Sequence, residues 1–364
     1  MPHADRRAIM AAAALAGLAL VITAEVWTRP QVAPTAAQFG YTPNPRGVEQ
    51  FLDELPQPLF RQAGAETIRE AKGVDTFLHR SLARAHLARY GKPFVVGRQG
   101  IGDCVSWGWM HGLYVSQAID WETGRLPEPP LMPATESIYG GSRVEARGRP
   151  GDGAGPYGGW SDGSYGAAAA KFVRDWGVVY REKQPTGVDL ATYSADRAKQ
   201  WGAYGNGGQG DGGKLDAVAK RHPATHVALV TTWAEAAAAI EAGFPIPVAS
   251  NQGFASVRDQ HGYAAASGSW AHEMCFVAVR YAKNGSPADA LLCLNSWGPN
   301  WISGPKWPDD MPEGSFWVRR EVVERMLSQR DSFAVGSVAG FAWRDLHNGN
   351  WFKPAPEAAM RTNP

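Results

Sequence analysis

The chain has 364 residues, enough for one large domain or two smaller ones with a substantial core. Hydrophobic residues make up 44% and charged residues 20%, and the formal charge of +1 excludes a basic field for nucleic acid or anionic lipid. Three cysteines, Cys104, Cys275 and Cys293, are too few for a disulfide framework and lack the spacing of zinc ligands.

At the N-terminus Arg6 and Arg7 precede an unbroken apolar run, AIMAAAALAGLALVITA, over residues 8–24. The positive flank lies before the run, so the body is expected to be exported. Residues 1–29 then serve as a cleaved signal peptide, giving a secreted or periplasmic protein, or as a membrane anchor with Trp27 at the interface. Residues 30–92 read as a proline-rich linker followed by a helical extension from residue 48 onward. Within it, TFLHRSLARAHLARYGK presents a basic face of His79, Arg80, Arg84 and Arg89, read as solvated, with a lipid surface as the alternative.

After GRQGIGD comes a strong helical pattern, with Trp107, Met110, Tyr114, Ala118 and Trp121 at three- and four-residue steps and Gly124 as its stop. His111 shares that apolar face and reads as a satisfied core histidine. A long irregular crossing follows, with a short helix candidate over 134–143. SYGAAAAKFVRDWG then forms a helix with Tyr165, Ala169, Phe172 and Trp176 on one face, closed by Gly177. The glycine-rich stretch 205–213 follows no convincing strand and reads as a loop, not a phosphate cradle. His222 and His226 are four apart, but Pro223 breaks the helix that would align them on a metal.

The second half changes character. Thr232 and Glu235 form a capping box for the helix TWAEAAAAIEAG. FPIPVAS, HEMCFVAVRY, ALLCLNSW and GSFWVRR read as strands separated by turn residues. A helix-rich half followed by a strand-rich half implies an α+β unit with two lobes and a cleft between them.

Cys104 stands at a helix start, where the dipole favours a thiolate and its own N–H is a donor for a developing oxyanion. Gln99 supplies a second donor from the turn before it. His272 is placed at the opening of an apolar strand and Asn295 at the end of the next. An antiparallel pair brings the two together, so the asparagine amide accepts from one ring nitrogen and sets the tautomer, with Trp297 over the bond. On a flat hairpin Cys275 and Cys293 face opposite sides and stay unbridged.

Three blocks, QGIGDCVSWG, SWAHEMCFVAVRY and LLCLNSWGPNW, resemble those of the papain-like cysteine peptidases, particularly the compact bacterial and viral branch. A fourth, WSDGSYGAAAAKFVRDWGV, is similar to the segment that lines their substrate cleft. The resemblance implies a two-lobe α+β fold over 93–345, with a helical lobe at 93–200, a β lobe at 201–345 and a tail over 346–364. It implies hydrolysis of a peptide or protein substrate through an acyl-enzyme, without metal or organic cofactor. Cys104 is then the nucleophile, His272 the base, Asn295 its orienter and Gln99 an oxyanion donor, while Gly163, Ser164 and Trp297 line the substrate site. Several residues depart from the pattern. Gln99 precedes Cys104 by five residues instead of six, Asp103 adds a charge beside the thiol, and Ser164 replaces a glycine and would narrow the groove. A catalytically weak or inactive exported module is therefore the alternative. Residues 30–92 stand where a propeptide would, as an inhibitory plug or a spacer.

Overall fold

The computed structural model describes residues 39–147, 162–209, 214–224, 226–336, 341–344 and 346. The apolar run at 8–24 lies outside them, and no described helix is long and apolar enough to cross a membrane.

Asn44 caps the first helix, its side chain accepting from the Gly47 N–H, and Pro45 takes the first turn, so α1 (Pro45–Asp53) begins inside the expected linker. Two short turns, α2 (Phe60–Ala63) and α3 (Ala65–Glu70), lead to β1 (Thr76–Phe77) and α4 (Leu78–Tyr90), which ends on Gly91 in the left-handed region. The basic face of α4 is not solvated. His79 is buried, Arg80 pairs with Asp310, and Arg84 pairs with Glu122, partners supplied from distant parts of the chain. Only Arg89 of the four is exposed.

The expected central helix is α5 (Cys104–Glu122), buried on every side down to Asp120. One stretch, from Cys104 to Leu113, enters a cluster with Ile138, Phe172 and Phe333. The other, with Tyr114, Val115 and Ile119, enters the larger cluster that holds the sheet. His111 is a core residue as expected but not a satisfied one: neither ring nitrogen has a hydrogen-bond partner, and burial pushes it down to about 4. The candidate at 134–143 is α6 (Thr135–Arg143), followed by α7 (Gly166–Asp175), α8 (Ala195–Tyr204) and α9 (Lys214–Ala219).

The strand-rich half opens with β2 (His226–Leu229) and α10 (Trp233–Glu241), which carries the expected capping box. Then come β3 (Ile246–Arg258), β4 (Ala264–Arg280), β5 (Ala290–Leu294), β6 (Phe316–Arg319), α11 (Arg320–Leu327) and β7 (Phe333–Gly336). The long β4 is the hub: β3, β5 and β1 all pair with it antiparallel, and β6 pairs with β5. β2 and β7 form a separate antiparallel pair. His272 therefore lies in the middle of a strand and not at its opening. The first half of β4 escaped the pattern because AAASGS carries no apolar alternation, and residues 265–269 are exposed on an arm paired with β3 through irregular registers. Cys275 stands opposite Leu294 and Cys293 opposite Phe276, so the two thiols point to opposite faces and both are free.

The architecture is the two-lobe α+β arrangement that the resemblance implies. The described residues before position 93 belong to its core: Phe60, Leu78 and Leu82 are fully buried in the sheet cluster, and Val48 and Phe51 are buried in the helical one.

Candidate active site

The first element of α5 is set by a tight approach, in which the Asp103 N–H donates to the Ile101 carbonyl at 2.8 Å. Asp103 has no side-chain capping bond. Its carboxylate instead accepts from the Tyr193 hydroxyl at 3.0 Å and the Trp107 indole at 3.2 Å. Burial pushes Asp103 up to about 8, so near neutrality it holds its proton and the charge expected beside the thiol is largely absent.

The strand pairing does what the spacing of the blocks implied. The β4–β5 register places Leu294 against Cys275, and beyond it His272 Nε2 meets the Asn295 side-chain oxygen at 2.7 Å. An amide oxygen only accepts, so Nε2 carries the hydrogen and Nδ1 the lone pair. The Ser296 N–H also donates to that oxygen at 2.7 Å and holds the amide in place. Trp297 lies over the imidazole with ring centroids 4.6 Å apart and screens the bond from water. Both His272 and Asn295 are fully buried.

Cys104 approaches this pair from the helix side, its thiol directed at the N–H of Glu273, the residue after His272. Burial pushes the thiol well above its ordinary range, and the charge of Glu273 adds to this, while N–H donation from Glu273 and Gly40 opposes it. Glu273 is itself fully buried, and burial pushes its carboxyl well above the ordinary carboxylate range, opposed by the Trp109 indole.

Gln99 is brought to the same place by a short backbone pairing. Its N–H donates to the Ser296 carbonyl at 2.8 Å, and the Gly298 N–H donates to the Gly97 carbonyl at 2.9 Å. The side chain, however, is turned inward. Nε2 donates to the Ile101 carbonyl at 2.8 Å and Oε1 accepts from the Ser296 hydroxyl at 2.6 Å.

The cleft face on the helical lobe is formed by residues 163 and 164, and their roles divide. The Gly163 N–H is engaged within the helical side, donating to the Tyr139 hydroxyl at 3.0 Å, and its carbonyl accepts from the Arg143 guanidinium. Ser164 keeps its backbone N–H and carbonyl for a partner from another stretch of the chain. Its hydroxyl points inward to Ser142 at 2.8 Å, so the side chain does not narrow the groove.

The backbone edge of Ser164 is occupied by the chain itself. The Ser164 N–H donates to the Gly40 carbonyl at 2.9 Å, and the Thr42 N–H donates to the Ser164 carbonyl at 2.8 Å. On the other wall the Tyr41 N–H donates to the Ala271 carbonyl at 3.1 Å. Residues 40–42 thus run extended between the lobes, and the ring of Phe39 packs edge-on to Trp297 at 5.7 Å and to His272 at 6.4 Å. The passage is narrow. A Cβ on Gly40 would overlap the Gly102 carbonyl, and one on Gly163 would lie 2.7 Å from the Thr42 hydroxyl. The signal was the glycine between two aromatics in FGYT, a place where only a residue without a side chain fits.

No protein-family model and no curated protein matches the sequence. Among solved structures the chain is similar to xylellain, a cysteine protease from Xylella fastidiosa, at 17% identity and a TM-score of 0.47, covering 85% of this chain and 94% of that one. It is similar to digestive procathepsin L 3 of Tenebrio molitor larval midgut at 16% identity and a TM-score of 0.43, covering 82% and 83%. It is also similar to procathepsin B S9 from Trypanosoma congolense at 10% identity and a TM-score of 0.46, covering 85% and 99%.

Proposed function

We propose that the chain is a papain-like cysteine peptidase, held closed by its own residues 39–42. The observation that carries this reading is the placement of those residues. They lie along Ser164 as an extended peptide and cross Cys104 at the Gly40 N–H, beside the hydrogen-bonded His272–Asn295 pair.

Once the segment withdraws, the thiol regains solvent and its proton passes to His272 Nδ1, leaving a thiolate at the start of α5. Sulfur attacks the scissile carbonyl, and the oxyanion meets the Cys104 backbone N–H. Gln99 joins it after turning its amide from the Ile101 carbonyl. The imidazolium gives its proton to the leaving amine, and water activated by the same ring releases the acyl group from sulfur. Asn295 keeps Nε2 engaged throughout, so the ring stays oriented with Nδ1 available. Residues 1–29 serve this enzyme as an export signal or membrane anchor, and its substrate is a peptide or protein.

The test compares the full chain with one beginning at Asn44, using a library of quenched fluorescent peptides. The shorter chain is expected to hydrolyse peptides and to lose this activity with Cys104→Ala. A folded chain from Asn44 that cuts no peptide in the library overturns the proposal and leaves a module whose cleft binds without cutting.

A further inference from the structure

The segment in the cleft also shows which side chain the groove accommodates. Tyr41 is 4% exposed and belongs to the buried cluster that includes Cys104, Val105, Tyr165, Ala249 and Phe333. Its ring thus lies in an apolar cluster, but the far end is not apolar. The Tyr41 hydroxyl donates to the carboxyl group of Asp331, itself 1% exposed. Asp331 is fixed in turn by α7, whose first N–H groups, from Gly166 and Ala167, donate to its two oxygens at 2.9 and 2.7 Å. A Cβ on Gly166 would lie 2.5 Å from the Asp331 backbone carbonyl oxygen and 2.9 Å from its carboxyl Oδ1, so the start of α7 is packed closely against this residue. Glu273, fully buried, lies near enough to Asp331 for the two carboxyl groups to interact.

We propose that this cavity is a tyrosine-reading subsite: the phenol of a tyrosine in an extended peptide enters it and donates its hydroxyl to Asp331. The proposal rests on the cleft being a peptide groove, as argued above, and adds the side chain that the groove selects. The backbone on either side is held through Ser164 and Ala271, as residues 40–42 are now. A phenylalanine would fill the same walls and leave the carboxyl facing a ring edge. Lysine is disfavoured because the two acids do not form a fixed pair of charges: burial pushes Asp331 up to about 7 and Glu273 well above the carboxylate range.

The experiment uses the full chain carrying Phe39→Ser and Tyr41→Ser, which loosen the seated segment, and Cys104→Ala, which prevents cutting. Binding of the blocked peptide Phe-Gly-Tyr-Thr is measured by calorimetry beside peptides with phenylalanine, 4-methoxyphenylalanine or lysine in place of tyrosine. A hydrogen bond onto a buried carboxyl predicts that the tyrosine peptide binds about tenfold more tightly than the phenylalanine one. Asp331→Asn is expected to erase that ratio. Because this substitution also touches the start of α7 and can unfold the chain, the methoxy peptide supplies the same information with Asp331 intact, and it should bind no better than phenylalanine. Equal binding of tyrosine and phenylalanine, or tighter binding of lysine, overturns the subsite. Binding here does not depend on chemistry, so the two readings fail separately. A tyrosine preference in a protein that cuts nothing retires the peptidase and keeps the subsite, and hydrolysis without the preference does the reverse.

Discussion

Removing residues 1–92 is predicted to destroy the fold, not merely to uncover the cleft. The lost stretch contains Phe60, Leu78 and Leu82, all fully buried, with Phe51 at 2% and Val48 at 5% exposure. Burial of each such side chain is worth about 1.5–3 kcal/mol, so the five together contribute roughly 10 kcal/mol. That equals the whole stability of an ordinary domain, about 5–15 kcal/mol. The same cut removes β1 from the edge of β4 and leaves Glu122 and Glu241 without the partners they have in Arg84 and in the N–H groups of Lys72 and Gly73. A chain beginning at Asn44 keeps every one of these contacts, including the cap of α1. Far-UV circular dichroism melts of the full chain, the chain from Asn44 and the chain from Pro93 decide the matter. The first two are expected to unfold cooperatively, and the third to show no cooperative transition. A cooperative melt of the Pro93 chain near that of the full protein would refute the reasoning and return residues 45–92 to the status of a detachable extension.

Gly40→Ala, which drives a methyl into the Gly102 carbonyl, is expected to unseat residues 39–42 and let an electrophile reach Cys104 in the otherwise intact full chain; alkylation no faster than in the parent would argue against a steric seat. Asn295→Ala removes the acceptor 2.7 Å from His272 Nε2 and should lower kcat/KM on the order of 10- to 100-fold in the opened enzyme, a loss checked against an unchanged melting profile. Stability should fall as pH rises from 6.5 to 8. The unfolded chain releases the protons of Asp103 and Asp331 near pH 4, whereas the folded chain holds them to about 8 and about 7, so in that window the folded state binds more protons. His111, pushed down to about 4, acts with the opposite sign only below pH 6.5, where the unfolded chain takes up its proton first. Thermal melts across pH 6.5–8 test this, and a melting temperature that climbs with pH would contradict it. Asp103→Asn should flatten the slope.

The elements legible in the sequence were those whose signal is local. The apolar spacing after Cys104, the Thr232–Glu235 box and the strand runs ALLCLNSW and GSFWVRR each carry their own period or cap, and each holds the expected element, with the strands ending sooner, at Leu294 and Arg319. What the sequence hid depends on partners far along the chain. The basic face of α4 looks solvated until Glu122 and Asp310 arrive from 38 and 230 residues away. The early half of β4 has small residues because it forms an arm, and only its pairing with β3 reveals it as strand. The site shows the same division. The meeting of His272 with Asn295 was readable because the β4–β5 pair carries them, and the helix start at Cys104 because apolar spacing follows it at once. Gln99, read as an oxyanion donor, has its amide on Ile101 because Ser296 supplies a hydroxyl to its other end. Asp331, Glu273 and the seated residues 39–42 had no local signal beyond the glycine of FGYT. They come together only where three separate stretches of the chain meet.

The central claim is that Cys104 and His272 act as one chemical unit once the cleft is open. The most direct measurement is the rate at which an epoxide alkylates Cys104 in the chain beginning at Asn44, followed by intact mass and peptide mapping between pH 5 and 9, with His272→Ala alongside. The account predicts rapid alkylation of Cys104 alone at neutral pH, slowed at least tenfold by loss of the imidazole, with Cys275 and Cys293 untouched in their buried strands. Alkylation at the same rate with and without His272, in a folded protein, would contradict it.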